Sequence, residues 1–457
     1  MGVGSGIGAD RDTAGDDPSS ARPVARQPRP VTVNRDFALF WTAQTASAIG
    51  DRITGFTVPT TVILLLDASN VEVGVVAAAG WLAYPVVGLF AGALLVRADV
   101  LRVTVSAELV RCGVFALLAV ALASGWITSV APVVALVAAA GVATVFSDLC
   151  GQVMVPALVP PARLVGANSR QQGSDSASKL VGPALGGAVV GGLGTVAALV
   201  IGAAPFLVSA LLRSRIRLAA PPRPDRTPVL RRVRDGLRYT RHHPLLRPLV
   251  TSSALRAFGV GAIDAVLLLF AYRALGMSSA GTGLLLATGA AAALLGVFGA
   301  TPLTRLLGAR RTLVVTCLEG LAWTALPLCL LVSAPVALLF AIRAFAALWM
   351  PAWGVVVTSI RQQVTSADRQ ATVHATARVL TSSAIPLGAL TGGTAAGLAS
   401  GPLGSSSALA AVIAAAGLCV AGSVLLLPAR LPDHRSRTRP SGSTRWERSC
   451  TPLPPRP

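Results

Sequence analysis

Lysine occurs once in this chain, at position 179, and acidic residues number 19 among 457. Charged residues of every kind make up 13%, about half the share of a soluble domain. A solvated globule of ordinary composition is therefore excluded. Cysteine is sparse, six residues, and Cys112, Cys150, Cys317, Cys329 and Cys419 lie inside apolar blocks. Their spacing matches neither a metal site nor a disulfide framework, so they read as small core residues and no metal or cofactor is expected. No Gly-x-x-x-x-Gly-Lys-Ser/Thr run occurs, which argues against ATP coupling within the chain. No Ser/His/Asp constellation stands out, and an enzyme is not expected. The first 36 residues lack the apolar stretch of a signal peptide. Residues 1–36 and 429–457, rich in Arg and Pro, read as disordered tails.

What is present is apolar residues, 53% of the chain, gathered into about twelve blocks. A run of roughly 20 apolar residues spans a bilayer as a helix, and a barrel would alternate apolar with polar residues instead. The expected fold is an all-α membrane protein with twelve transmembrane helices. The spans are 37–66, 71–96, 103–124, 130–156, 168–192, 195–212, 246–272, 279–304, 311–333, 335–359, 372–398 and 406–428.

The 39 basic residues could be the footprint of a nucleic-acid binder, but their placement says otherwise. Eleven arginines lie in one connector, residues 213–245 and their edge at Arg247. Arg97, Arg102, Arg163, Arg170, Arg305, Arg310, Arg311, Arg361 and Arg369 flank alternate blocks. The opposite connectors, 67–71, 124–129, 332–336 and 399–407, carry none, and only Arg273 breaks the pattern. This charge asymmetry places both termini and the connector in the cytoplasm of a multi-pass plasma-membrane protein. Nucleic acid is excluded as a partner.

The chain also repeats itself. "GLFAGALLVRADVLRVTV" from Gly88 is similar to "GVFGATPLTRLLGARRTL" from Gly296, at a constant offset of 208. "GPALGG" (182–187) is similar to "GALTGG" (388–393), offset 206. Duplication divides the chain into a six-helix bundle at 37–212, the connector, and a second bundle at 246–428. Two parallel six-helix repeats imply rocking about a midplane site.

These segments, with "FALFWTAQTASAIGD" (37–51), "VPALVPPARLVGANS" (155–169), "DGLRYTRHHPLLRPL" (235–249) and "GARRTLVV" (308–315), resemble the major facilitator superfamily. Within it they resemble the drug:proton antiporter branch of macrolide-efflux and siderophore-exporter proteins, over residues 37–428. The resemblance implies a monomeric secondary transporter that exports a small amphipathic organic compound against protons. An exporter of anionic metabolites or siderophores is the alternative. A membrane sensor or scaffold that no longer transports is the reading from another class. In the family the loop between spans 2 and 3 latches the halves through charge pairs. Gly92, Arg97, Asp99 and Arg102 fit that motif, but Val96 stands for an acid and Val100 and Leu101 for bases, so the latch is expected to be weak.

Ionisable groups inside spans are costly and mark sites or structural pairs. Asp175 and Lys179 share a helix face four residues apart. They are either a coupling charge pair or a bolt to a neighbouring helix. Gly182, Pro183, Gly186 and Gly187 read as a close-packing corner. The resemblance implies an exporter motif there. Asp51 and Arg52 point about 100° apart and need separate partners. Asp51 is the leading proton carrier, or else an ion pair to a base of span 5 or 11. The resemblance makes spans 1, 4, 7 and 10 line the cavity, which adds Asp148 and Gln152. Arg256 and Asp264 on span 7 lie on roughly one face. Arg343 and Trp349, with Trp353, sit on span 10. Arg378 on span 11 is the expected counterpart of Lys179, and His374 a surface histidine. Glu108 and Arg111 read as an intrahelical pair, and Glu319 has no assigned partner.

Overall fold

A computed structural model describes residues 1–2, 35–95, 98–217, 229–366 and 369–428. Of the expected disordered tails, residues 3–34 and 429–457 lie outside the described residues, as do Arg97 and the surroundings of Gly92, while residues 35–36 belong to the first helix. The described chain is helical throughout: α1 (Arg35–Leu64), α2 (Asn70–Leu95), α3 (Val100–Ala123), α4 (Val130–Leu158), α5 (Leu164–Arg213), α6 (Val229–His242), α7 (Leu246–Leu269), α8 (Ser279–Val315), α9 (Cys317–Thr324), α10 (Pro335–Val364), α11 (Gln370–Leu403) and α12 (Ser405–Gly422). Eight helical stretches among the described residues are long and apolar enough to cross a membrane. In hydrocarbon every backbone group must be bonded internally, and unbroken helix achieves this.

Glycine sets the reversals. At Gly194 (φ 84°, ψ 170°) α5 breaks, and at Gly308 (φ 78°, ψ 163°) α8 breaks, in backbone that a β-carbon would strain. Both legs of α5 lie on the same turn of α1. Gly182 and Gly186 abut Arg52, Ile53 and Phe56, while Gly202 abuts Ile53 and Thr54. The chain therefore doubles back at Gly194 without a loop. The expected fifth span at 168–192 is corrected: its helix starts at Leu164, four residues earlier than the apolar run, because the polar stretch 164–175 is helical too. Lys179 is consequently about 22 Å along the helix.

The basic connector carries a strongly amphipathic helix, α6. Its Gly236 is buried against Thr372 and Thr376 of α11. The ninth span is not one helix: it runs through the second leg of α8, then α9, then a 3-10 turn at Leu326–Leu330. Asp99 does not reach across the molecule. It caps α3, accepting from the backbone N–H of Leu101 at 3.0 Å, and pairs with exposed Arg102 at 3.3 Å.

Residues 35–217 form one bundle, in which α1 and α3 pack on α5. Residues 246–428 form a second, in which α7 packs on α11 and α12. The bundles meet chiefly through α2 on α11 and α5 on α8.

Candidate functional site

The two bundles are joined near their arginine-poor ends by two glycine crossings. A β-carbon on Gly187 of α5 would lie 2.9 Å from Cα of Gly283 on α8, and one on Gly74 of α2 would lie 3.0 Å from Cα of Gly393 on α11. Backbones meet there because no side chain intervenes. The repeated "GPALGG" and "GALTGG" thus acquire matched geometry. Gly182 and Gly186 face Arg52 and Phe56 on α1 of their own bundle, and Gly187 faces the other bundle. Likewise Gly388 and Gly392 face Phe258 and Ala262 on α7, and Gly393 faces the other bundle. Pro183, within the same corner, turns its carbonyl onto Gly283.

Polar contacts close the same end. Thr60 and Tyr272 hydrogen-bond at 3.1 Å, and Asn70 donates to Ser400 at 3.2 Å. Arg273, the exception to the charge pattern, donates to Ala68 O at 2.7 Å, to Asp67 at 3.0 Å and to Asn70 at 3.1 Å. A π-helical turn at Phe270–Ala274 presents Tyr272 and Arg273 to this seal.

Deeper in the first bundle lies a buried charge cluster. Arg111 of α3 pairs with Asp51 of α1 and, at 3.5 Å, with Glu108. Glu108 has no exposed surface and accepts from Ser147 at 2.7 Å and Ser47 at 3.0 Å. Arg213, equally buried, lies 3.6 Å from Glu108 and donates to Gln44 at 2.6 Å and Thr104 at 2.7 Å. The expected Glu108–Arg111 pair is present, but it belongs to this four-charge network. Asp51 therefore finds its base on α3, where spans 5 and 11 were expected to supply it.

The second bundle holds one buried pair at the related place. Arg256 of α7 pairs with Glu319 of α9, with 6% and 5% of their side chains exposed. The repeat offset of 208 maps Arg111 onto Glu319, and Asp51 lies 205 residues before Arg256. The same inter-helix ion pair thus occurs twice with its signs exchanged. In each, an aromatic ring covers the guanidinium: Phe206 at 4.0 Å from Arg111, and Trp353 at 4.9 Å from Arg256. Glu319 acquires its partner here. Arg256 and Asp264 do not share a face as expected. Eight residues leave them about 80° apart on a helix, so Arg256 is buried while Asp264 is exposed.

Asp264 is about 27 Å along α7 from Leu246 and is exposed. It lies in the field of Arg343 on α10, without an ion pair among the described residues. Arg343 rests on Gly289, with its guanidinium 5.8 Å from the Trp323 ring. Trp349 packs edge-on to Phe345 at 5.8 Å. In the first bundle Tyr84 donates to Asp148 at 2.5 Å, and Gln152 is exposed one turn further on. Asp148 also feels Arg378 from the other bundle. Toward the arginine-rich end a cavity of about 240 Å³ lies between α7, α10 and α11, with Trp353, Arg361, His374 and Arg378 in its wall.

Arg52, Asp175 and Lys179 form a separate triad. Asp175 accepts from Lys179 at 2.6 Å and from Arg52 at 3.1 Å, all three being about 40% exposed or a little less. Gly182 leaves room for the Arg52 stem. Lys179 and Arg378 are not counterparts: the 206 offset carries Lys179 to Ile385 and Arg378 back to Gln172. Asp51 and Arg52, adjacent in sequence, serve different clusters, as their angular separation requires. Arg111, Glu108, Arg213, Glu319 and Arg361 complete these clusters and were not singled out as site residues. The 208 offset was the available signal for the Arg111–Glu319 relation. Arg213, expected in the basic connector, is instead the last residue of α5 and fully buried, and no sequence signal marked it.

Residues 40–365 match the profile of the Major Facilitator Superfamily. The uncharacterised MFS-type transporter y4rN of Sinorhizobium fredii is 33% identical over 117 residues, which are 26% of this chain and 29% of that relative's length. A point mutant of the nucleoside transporter NupG superposes with a TM-score of 0.69 at 11% identity, covering 86% of this chain and 99% of that one. A bacterial homologue of the iron transporter ferroportin, 16% identical, gives 0.66 in its inward-facing state, covering 87% and 99%. The same homologue in its outward-facing state gives 0.54, covering 86% and 99%.

Proposed function

Because this chain belongs to the Major Facilitator Superfamily, and so to a superfamily of membrane transporters, we propose that it is a twelve-span exporter working by alternating access. The second legs of α5 and α8 supply the spans that continuous helix conceals. The charge asymmetry places the arginine-rich end in the cytoplasm. On that reading the glycine crossings are an extracellular seal and the space between the bundles opens inward, the state that receives cargo for export. The observation that carries this reading is the pairing of a glycine-tight seal at one end with a basic cavity toward the other.

The cargo we infer is a small amphipathic organic compound, held by apolar walls with a few fixed charges. Proton entry would drive its exit. Asp51 supports that role by its place: it is 40% exposed, and its partner Arg111 keeps Glu108 when Asp51 is neutralised. A proton on Asp51 would leave Glu108 to balance both Arg111 and Arg213, and that surplus positive charge would loosen α1 from α3. Among the described residues no group of three or more His, Cys, Asp or Glu gathers as a metal site, and a metal cargo is not the reading chosen. An anionic cargo is favoured by Arg361, His374 and Arg378 in one cavity. The test is flux in inside-out vesicles from a pump-deficient host. Accumulation of lipophilic organic compounds should collapse with an uncoupler. Absence of flux for every compound that binds would instead establish the sensor reading.

A further inference from the structure

We infer that the cavity between α7, α10 and α11 is a subsite for the anionic end of an amphipathic organic ligand. This deepens the transport reading, on which it rests.

Among the described residues the cavity wall contains no carboxylate, but three basic side chains: Arg361 of α10 and His374 and Arg378 of α11. His374 lies in the fields of both arginines. The two guanidiniums, lining one recess, repel one another unless an anion joins them. The protein supplies little compensation. Among the described residues Nε of Arg361 has no hydrogen-bond partner, and its Nη2 donates to Thr358 Oγ1 at 3.4 Å. Arg378 is exposed and forms no ion pair among the described residues. The acid that affects it, Asp148, lies in the other bundle. Arg256 over the neighbouring Trp353 behaves otherwise, because Glu319 already neutralises it. An uncompensated pair of guanidiniums in a recess is the arrangement that recognises carboxylate, sulfonate or phosphate.

The remaining wall selects the body of that ligand. Leu246, Leu249, Val250, Trp353 and Val357 form an apolar side. The volume, about 240 Å³, is just under that of a cleft for a whole small molecule, about 300 Å³ or more. It therefore fits one anionic, ring-bearing end while the rest of the ligand extends into the space between the bundles. A lipid headgroup of the inner leaflet offers the same anion from a second source.

The test uses the full chain in phosphatidylcholine nanodiscs, with tryptophan quenching by 1-naphthoate, 1-naphthamide and 1-naphthylmethylammonium. The carboxylate should bind about tenfold tighter than the amide, the value of one charge-assisted contact, and should weaken with added salt. Arg361→Gln and Arg378→Gln should each raise its Kd by about tenfold. Arg378→Lys should keep most of the affinity, and Arg241→Gln on exposed α6 all of it. Phosphatidylglycerol discs that suppress naphthoate binding would assign the anion site to lipid, and undiminished binding to a soluble ligand. Equal binding of the amide or the ammonium, no binding of naphthoate, or wild-type Kd in both Gln variants would each overturn the subsite. Naphthoate binding without flux would leave the subsite and remove the transport reading. Flux indifferent to both Gln variants would do the reverse.

Discussion

The sign-exchanged ion pairs permit a quantitative test of what they do. Consider Glu319→Gln. The substitution leaves Arg256 with its charge, 6% of its side chain exposed and Nη1 already unpartnered. Breaking a buried pair in this way costs about 3–5 kcal/mol, mostly the penalty of the orphaned charge. Asp51→Asn in the other bundle is a different case. Arg111 keeps Glu108 at 3.5 Å, shared with Arg213, and Ser47 still accepts from its Nη1 at 2.9 Å, so it is less isolated than Arg256 would be. Asp51 is itself 40% exposed, so the loss should be only about 1 kcal/mol. Thermal unfolding midpoints of both variants in one detergent should therefore differ plainly, with Glu319→Gln the lower. The double variant Arg256→Glu with Glu319→Arg should recover most of the deficit, because it copies the sign order that α1 and α3 already accommodate. Equal midpoints for the two single variants, or a double variant no better than Glu319→Gln, would refute the reasoning that burial and redundancy decide the cost.

Gly187→Val should hold the extracellular end apart, since its β-carbon would meet Ser279 O at 2.5 Å and Gly283 Cα at 2.9 Å. A cysteine at Thr60, now buried, should then react with an impermeant maleimide from outside. Gly192→Val, with open space around it, should leave labelling unchanged, and identical labelling of both variants would sink the gate. Asp51→Asn should remove the dependence of export on a pH gradient, and a retained dependence in vesicles would eliminate the carrier role. Lys179→Gln should change stability by less than about 1 kcal/mol, because the triad is part-exposed and Asp175 keeps Arg52 at 3.1 Å. A slowed export in the same variant is expected, and full export would reduce the triad to a structural bolt.

The helical spans, their division into two repeats and the charge asymmetry are one-dimensional properties. Apolar block length follows from bilayer thickness, and arginine placement from which loops stay on one side, so residue order alone carries them. The need of Asp51 and Arg52 for separate partners was equally legible, since adjacent helix positions diverge by about 100°. Which partners they take was not. Asp51 meets Arg111, 60 residues away, and Arg52 meets Asp175, 123 residues away, because helix packing, not sequence distance, chooses the neighbours of a buried charge. The glycine corners show the same divide. The repeat marks Gly186 and Gly187 together, but only the packed bundles decide that one faces its own α1 and the other faces Gly283 across the interface. The basic cavity is furthest from legible, as Arg361, His374 and Arg378 sit on two helices whose approach the chain order does not dictate. A sequence states which groups must be kept from lipid; only the tertiary structure settles which of them neutralise each other and which remain free to hold a ligand.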